Sequence, residues 1–380
     1  PLKKNNYNKI TPMVFCICGK CKLAQLLHNY NLKELYNDNY GYKSGINESM
    51  VKHLNGITSN IKKIVNFKKE DYVLDIGSND ATLLKTFNSS KLNYVGIDPT
   101  IKRFKKNYPK KFKTKSTFFS KKQFFILSKG KKAKAITSIA VFYDIIDPGK
   151  FISDIKNILH EDGIYVMEQS YLPVLLKNNA YDSICHEHLT YFTLMQIKYL
   201  CEKNGLKIFK TSLNKIYGGS IQVFICNKEA NFKVDFKSIK RCTDLEKKYV
   251  NEKKLNHFKK KIKSLSIKLN QTIKKIKQKK KSIHVCAAST KGNITLQYSK
   301  INNHQIDYAS DRNQSKWTRK MPGSNIPIIS EKTSRSLNPD YYLVLPWHFK
   351  KEFIKRENKF LTSGGKLIFP LPKIEIISKK

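Results

Sequence analysis

Arginine is scarce in this chain and acid is outnumbered: 29 Asp and Glu face 73 Lys and Arg, giving a net charge of +44 over 380 residues. Scarce arginine weighs against base readers, which need guanidinium forks, and no groove of alternating basic and aromatic residues stands out for a single strand. The lysines are scattered over nearly the whole sequence, the pattern of solvated faces rather than of one binding face. No nucleic-acid partner is expected. The charge favours instead an anionic small substrate such as a diphosphate. No apolar run approaches bilayer length, so no membrane partner is expected, and no secretory signal is visible. The eight cysteines form no disulfide framework for so long a chain. Free thiols, a cytoplasmic location and a monomer or small homo-oligomer are the expectation. It concerns the residues given, which begin at Pro1 rather than Met.

A second CxxC is also missing. In "FCICGKCKL", Cys18 and Cys21 have the spacing of one half of a zinc knuckle, but zinc takes four ligands. Either a first pair preceded Pro1 or no metal binds.

What the chain does contain is enough apolar residue for two or three cores. From residue 67, strand and helix signals alternate. "DYVLDIG", "NYVGIDP", "AKAITSIAVFYDIIDP" and "GIYVMEQSY" read as buried strands. "SNDATLLKTF" reads as a helix from a polar cap, "GKFISDIKNILHEDG" as an amphipathic helix closed by Gly163, and "KIFKTSLNKIYGGSIQVFIC" as two antiparallel strands. Residues 228–281 are basic and largely free of Gly and Pro. Leu255, Phe258, Ile262, Leu265, Ile267, Leu269, Ile273 and Ile276 recur there at helical steps, predicting a joining helix or helix pair. The α/β pattern then restarts with "SIHVCAASTKGNITLQYSK", "IDYASDRN", "PDYYLVLPWHF" and "GGKLIFPLP". The predicted fold is α/β, an open, largely parallel sheet followed by a second, smaller Rossmann-like unit.

GxGxxG is absent as well. In "VLDIGSND", Asp75 and Gly77 end a strand, and the turn lacks the second Gly that a pyrophosphate requires. About twenty residues on, Asp98 ends the next strand, where a carboxylate can accept ribose hydroxyls. A nucleoside without phosphates is favoured, and S-adenosylmethionine (AdoMet) is the usual one.

"YGYKSG", "VLDIGSND", "GIDP", "TSIAVFYDIIDP", "EQSY", "ICHEHLTYF", "GGSI", "STKGNITLQY", "SDRN", "LPWHF" and "GGKLIFPLP" follow one another in an order that resembles the sugar-nucleotide C-methyltransferases. The resemblance spans nearly the whole chain. It implies a zinc-binding N-terminal module, here partial, over 1–50. It implies a class I AdoMet-dependent methyltransferase domain over 51–227, a basic helical connector over 228–281, and a Rossmann-like sugar-nucleotide domain over 282–380. It also implies AdoMet as cofactor, with Zn²⁺ if the missing ligand pair exists, and a nucleoside-diphosphate 4-keto-deoxysugar as substrate. The carbon beside the ketone loses a proton and the enolate takes the methyl. O- or N-methylation of a related sugar, or a basic nucleic-acid-binding protein on a methyltransferase scaffold, is the alternative.

"ICHEHLTYF" excludes a HExxH zinc site by its spacing, and burying such polar residues unpaired is costly. Histidine titrates nearest neutrality. By the resemblance His188 is the general base, Glu187 orients it or holds the sugar, and Tyr42 is a polar partner near the reacting centre. Asp75, Gly77, Ser78, Asn79, Asp98 and Phe142 are expected on the cofactor. His186, Gln169, Tyr171, Gly219, Ser289, Lys291, Asn293 and Asp311 are expected on the substrate, with Lys291 in a diphosphate cradle. Relatives carry Gly where Ala81 and Ala287 stand, Tyr where Cys185 stands, and often Asp where Thr117 stands.

Overall fold

The structure is a computed structural model that describes residues 12–29, 31–36 and 40–379. A short hairpin, β1 (Phe15–Ile17) and β2 (Ala24–Leu26), opens the described chain. The first large sheet is built from β3 (Tyr72–Ile76), β4 (Asn93–Ile97), β5 (Lys113–Lys115), β6 (Ala133–Ile139), β7 (Leu159–Ser170), β9 (Leu206–Asn214) and β10 (Ser220–Asn227). A two-residue strand, β8 (Thr190–Tyr191), leaves this unit to pair with β2.

The order across the first sheet is β5-β4-β3-β6-β7-β10-β9. Its first five strands run parallel, and β10 is antiparallel to both neighbours. That reversed strand, inserted beside the last parallel one, is the arrangement of class I methyltransferases. The alternating residues of each strand face two cores. Tyr72, Leu74 and Ile76 enter one with the helix Pro148–Ile158, while Val73 enters the other with the helix Glu48–Ile64. Coverage on both faces explains why the strands read as continuous apolar runs. Each large side chain so buried contributes roughly 1.5–3 kcal/mol.

The second sheet contains β11 (Ile283–Cys286), β12 (Tyr308–Asp311), β13 (Ile328–Ser330), β14 (Tyr341–Val344), β15 (Lys366–Phe369) and β16 (Glu375–Ile377). Their order is β13-β12-β11-β14-β15-β16, parallel except for β16. Residues 236–278 form a helix pair, Phe236–Tyr249 and Glu252–Gln278. The longer helix packs on the second sheet through Phe258, Leu265, Leu269, Ile273 and Ile276, whereas Ile267 faces solvent.

Two local expectations are corrected. The helix from Pro148 stops at Ile158, because Leu159 already pairs with Ala133 across a bulge that begins β7, so Gly163 lies inside a strand. The helix after β3 is only Thr82–Thr86 and starts from Ala81 in the left-handed region, not from a polar cap residue. Asp80 serves its first turn from one residue earlier, accepting from Thr82 N–H at 3.2 Å and Thr82 Oγ1 at 2.6 Å.

Candidate active site

The carboxyl ends of both sheets border one cavity of about 980 Å³. On the first sheet, the turn after β3 supplies Gly77, Ser78 and Asn79. Gly77 has φ +73°, and a Cβ there would overlap Val141 Cγ2, so the site demands glycine twice over. Asn79 donates its N–H to Asp98 Oδ2 at 2.9 Å. Asp98 Oδ1 accepts from Thr100 N–H and Oγ1 at 2.6 and 2.5 Å. A carboxylate offers about four acceptor positions, so these three bonds leave Asp98 about one, not the two that a pair of ribose hydroxyls would need. Burial raises the Asp75 carboxyl to about 7, opposed by the hydrogen bond from Thr137. A helix as short as Thr82–Thr86 makes a poor anion site. The turn therefore suits a nucleoside without phosphates.

"YGYKSG" straps this turn down. Ser44 N–H donates to Asn79 Oδ1 at 3.0 Å, Asn79 Nδ2 donates to the Tyr42 carbonyl at 3.3 Å, and Gly45 N–H donates to Asp80 Oδ2 at 3.0 Å. Asn313 of the second unit donates to the Gly41 carbonyl at 3.0 Å. Tyr42 itself borders the cavity.

From "ICHEHLTYF", Glu187 and His188 border the same cavity. His188 is 5% exposed, and its ring packs 4.0 Å from that of Tyr143. Its Nδ1 lies 2.8 Å from the Ser183 carbonyl oxygen. A carbonyl only accepts, so Nδ1 carries the hydrogen and Nε2 holds a lone pair. Burial first, and the charge of Lys291 second, pull this imidazole down to about 3. Burial raises Glu187, with Thr290 and Lys291 opposing. Cys185, Glu187 and His188 bring one ligand atom each within 4.8 Å of one another, the one such metal-sized group among the described residues. Burial lifts the Cys185 thiol far above its usual range, which disfavours the thiolate a metal needs.

The second unit repeats the geometry of the first. Gly77 N–H donates to the Ile97 carbonyl at 2.9 Å, and Ala287 N–H donates to the Ser310 carbonyl at 2.9 Å. Asn79 N–H reaches Asp98, and Ala288 N–H reaches Asp311 Oδ2 at 3.0 Å. Asp311 also holds Lys316 at 2.9 Å. Ser289, Lys291, Asn293 and Asp311 all border the cavity.

Several expected contacts lie elsewhere. Phe142 is fully buried against Phe151 and Phe192, because its 3-10 turn aims it into the core while Tyr143 and Asp144 face the cavity. Tyr171 is also fully buried and donates to Glu246 Oε1 at 2.6 Å on the helix covering that end of the sheet. Gln169 and Gly219 pack within the sheet's end, and His186 is half-buried; none of the three borders the cavity. Glu168 is enclosed by His53, Asn214 and Gln222. Cys18 and Cys21 sit together at the tip of the first hairpin, where Cys21 draws the Cys18 thiol below its usual value. No further ligand completes a zinc site beside them among the described residues.

Asp144 and Asp182 complete the cavity without having been singled out. Asp144 Oδ2 accepts from Tyr36 at 2.6 Å, and Asp182 Oδ2 accepts from Trp347 Nε1 at 2.9 Å. Asp144 Oδ1, Asp182 Oδ1, Asn293 Oδ1 and His348 Nδ1 are buried with no hydrogen-bond partner among the described residues, and all four residues border the cavity. Buried polar atoms are seldom left so, and four in one cavity, three of them acceptor oxygens, suit a ligand rich in hydroxyl donors.

Two family models match the chain: a methyltransferase domain over residues 51–211, and a C-methyltransferase C-terminal domain over 215–372. C-methyltransferase NovU of Streptomyces niveus is 27% identical over 97% of this chain and 88% of its own. Among solved structures, magnesium protoporphyrin IX methyltransferase from Synechocystis PCC 6803 with bound SAM superposes at a TM-score of 0.37 with 10% identity, covering 52% of this chain and 89% of that one. A putative methyltransferase from Bacillus halodurans C-125 gives 0.36 and 10%, covering 46% and 99%. Sheet order and domain match define a methyltransferase of the AdoMet-binding Rossmann-like class. More particularly, residues 215–372 match the C-methyltransferase C-terminal domain and the chain is similar throughout to a C-methyltransferase, as its ordered motifs anticipate.

Proposed function

We propose that this methyltransferase methylates the carbon beside the ketone of a nucleoside-diphosphate 4-keto-deoxysugar, with His188 as general base. The observation that carries the reading is the 2.8 Å contact of His188 Nδ1 with the Ser183 carbonyl, which leaves Nε2 as an acceptor on the cavity that Gly77, Asn79 and Asp98 also border. Gly77, Asn79 and Asp98, with Asp75 behind them, would hold AdoMet, which supplies an electrophilic methyl on a sulfonium. The remaining work falls to this chain. His188 Nε2 takes the proton from carbon as the C–H pair moves toward the ketone oxygen, a step that positioned bases speed by about 10²–10⁴-fold. Tyr143 and Phe118 supply aromatic walls to the cavity.

The test is incubation with AdoMet and UDP- or dTDP-4-keto-6-deoxyglucose, followed by mass spectrometry and carbon NMR. One added methyl on carbon is expected, as is solvent deuterium entering that carbon without AdoMet. His188→Gln should abolish both while AdoMet affinity holds. A methyl found on oxygen, or a His188→Gln protein that still exchanges deuterium, rejects the reading.

A further inference from the structure

We propose that Lys291, carried by the second α/β unit, is a catalytic residue of the first unit's site: its ammonium stabilises the enolate oxygen formed when His188 removes the proton. The inference rests on the keto-sugar reading above.

Its geometry departs from a diphosphate cradle. Lys291 begins the second residue of the helix Thr290–Tyr298, yet its Nζ extends to Ser183 Oγ at 3.1 Å. Ser183 is the residue whose carbonyl orients His188 at 2.8 Å. The base and the ammonium are thus both fixed to Ser183, one by its carbonyl and the other by its hydroxyl. Neighbouring contacts lock the same junction: Thr290 Oγ1 stands 3.4 Å from Glu187 Oε1, and Trp347 Nε1 donates to Asp182 Oδ2 at 2.9 Å. Lys291, His188, Glu187 and Asp182 all border the one cavity. The helix's first amides are meanwhile served by Ser289, whose Oγ accepts from Gly292 and whose carbonyl accepts from Asn293.

The chemistry calls for such a group. The C–H bond breaks, its proton goes to His188 Nε2, and the electron pair spreads onto the ketone oxygen as negative charge. A cation fixed beside that oxygen acts where the charge develops. The same charge also lowers the basicity of His188 in the resting site, after burial. The enolate's negative charge offsets that penalty only once the proton has moved, so the ammonium favours the reacting state over the resting one.

The test measures deuterium exchange from solvent into dTDP-4-keto-6-deoxyglucose without AdoMet, for the wild type, Lys291→Met and Lys291→Arg. Titrations with dTDP and AdoMet, and thermal melting, accompany it. Lys291→Met should lose about 10²–10³-fold in exchange at saturating sugar nucleotide. Its dTDP and AdoMet affinities should stay within about threefold, and Lys291→Arg should recover at least tenfold over the methionine variant. Exchange by Lys291→Met near the wild-type rate overturns the inference. So does a variant whose dTDP affinity collapses while saturated exchange persists, which would return Lys291 to the diphosphate. An arginine variant no better than methionine, with affinities and melting intact, also overturns it, because the charge would then not be the active property. A wild type that neither exchanges nor methylates UDP- or dTDP-4-keto-6-deoxyglucose is a different result and rejects the substrate reading itself.

Discussion

His188 Nδ1 sits 2.8 Å from the carbonyl oxygen of Ser183, only five residues earlier in the chain. That short-range bond fixes the tautomer of a buried ring, and it gives the ring a signature in the pH dependence of stability.

Unfolded, an imidazole titrates near ~6.5. In the fold, burial and then Lys291 pull His188 to about 3. Between those values the unfolded chain binds the extra proton. The stability owed to a neutral His188 is therefore complete above pH ~6.5 and is lost as pH falls toward 3. His348, lowered to about 3 by burial and then Lys291, acts in the same sense. Asp75, raised to about 7, acts oppositely: its contribution is complete below the ordinary carboxylate value and fades as pH rises through 7. The isolated effect is a difference. Between pH 4 and 6, urea unfolding of His188→Asn, which keeps a donor for Ser183, should gain stability with pH less steeply than the wild type, by close to one proton. Equal slopes would mean that the ring is not held neutral. The acid limb of deuterium exchange should likewise show no ionisation near 6.5.

Tyr171 carries the opposite expectation, a structural one. Its hydroxyl donates to Glu246 Oε1 at 2.6 Å, and Glu246 also accepts from Leu194 N–H. Tyr171→Phe removes a hydrogen bond to a buried carboxyl, worth about 1.5–3 kcal/mol. Chemical denaturation should register that loss, while KM for sugar nucleotide and for AdoMet stays unchanged. Unaltered stability with a raised KM would restore Tyr171 to the ligand.

What the sequence made legible follows from where strong periodic signals lie. Apolar runs ending in Gly77, Asp98 and Asp311 marked strand ends, and in a parallel sheet those ends border the ligand cavity. The same rule misplaced Gln169 and Tyr171, because the helix Phe236–Tyr249 covers the end of β7 with Cys242 and Glu246, and end-capping by a distant helix leaves no local pattern. β8, β13 and β16 are two or three residues long, too short for an alternation to show. Asp144 and Asp182 are single acids in short 3-10 turns whose meaning comes from Tyr36 and Trp347, 108 and 165 residues away. The identity of Lys291 was visible, but its side chain's direction was not: reaching Ser183 depends on how the two sheets meet.

Gly77→Ala should show how closely that meeting of turn and cofactor is set. The added Cβ would overlap Val141 Cγ2 on a backbone already at φ +73°. The left-handed region alone costs an alanine about 1–2 kcal/mol, and moving Val141 adds to it. Calorimetry should find AdoMet affinity reduced at least tenfold, with the dTDP affinity expected from the proposed sugar-nucleotide reading spared. Equal loss at both ligands would mean general unfolding instead.

Ala81 at φ +65° and Ala287 at φ +69° occupy the same left-handed region, which glycine adopts without steric cost. Replacing each by glycine relieves the steric cost of about 1–2 kcal/mol, against about 0.4–1 kcal/mol of extra chain entropy in the unfolded state. The environments then separate the two. Ala81 is fully buried, and removing its methyl forfeits about 0.8 kcal/mol of apolar burial. Ala287 is half-exposed on the cavity wall and forfeits less. Ala81→Gly should therefore be close to neutral in urea unfolding, and Ala287→Gly should stabilise by about 0.5 kcal/mol. Without its Cβ, position 287 also lets a ligand approach the turn more closely, so dTDP should bind Ala287→Gly at least as tightly as the wild type. A destabilised Ala287→Gly would mean that its methyl packs usefully and that left-handed strain does not decide the stability of this turn.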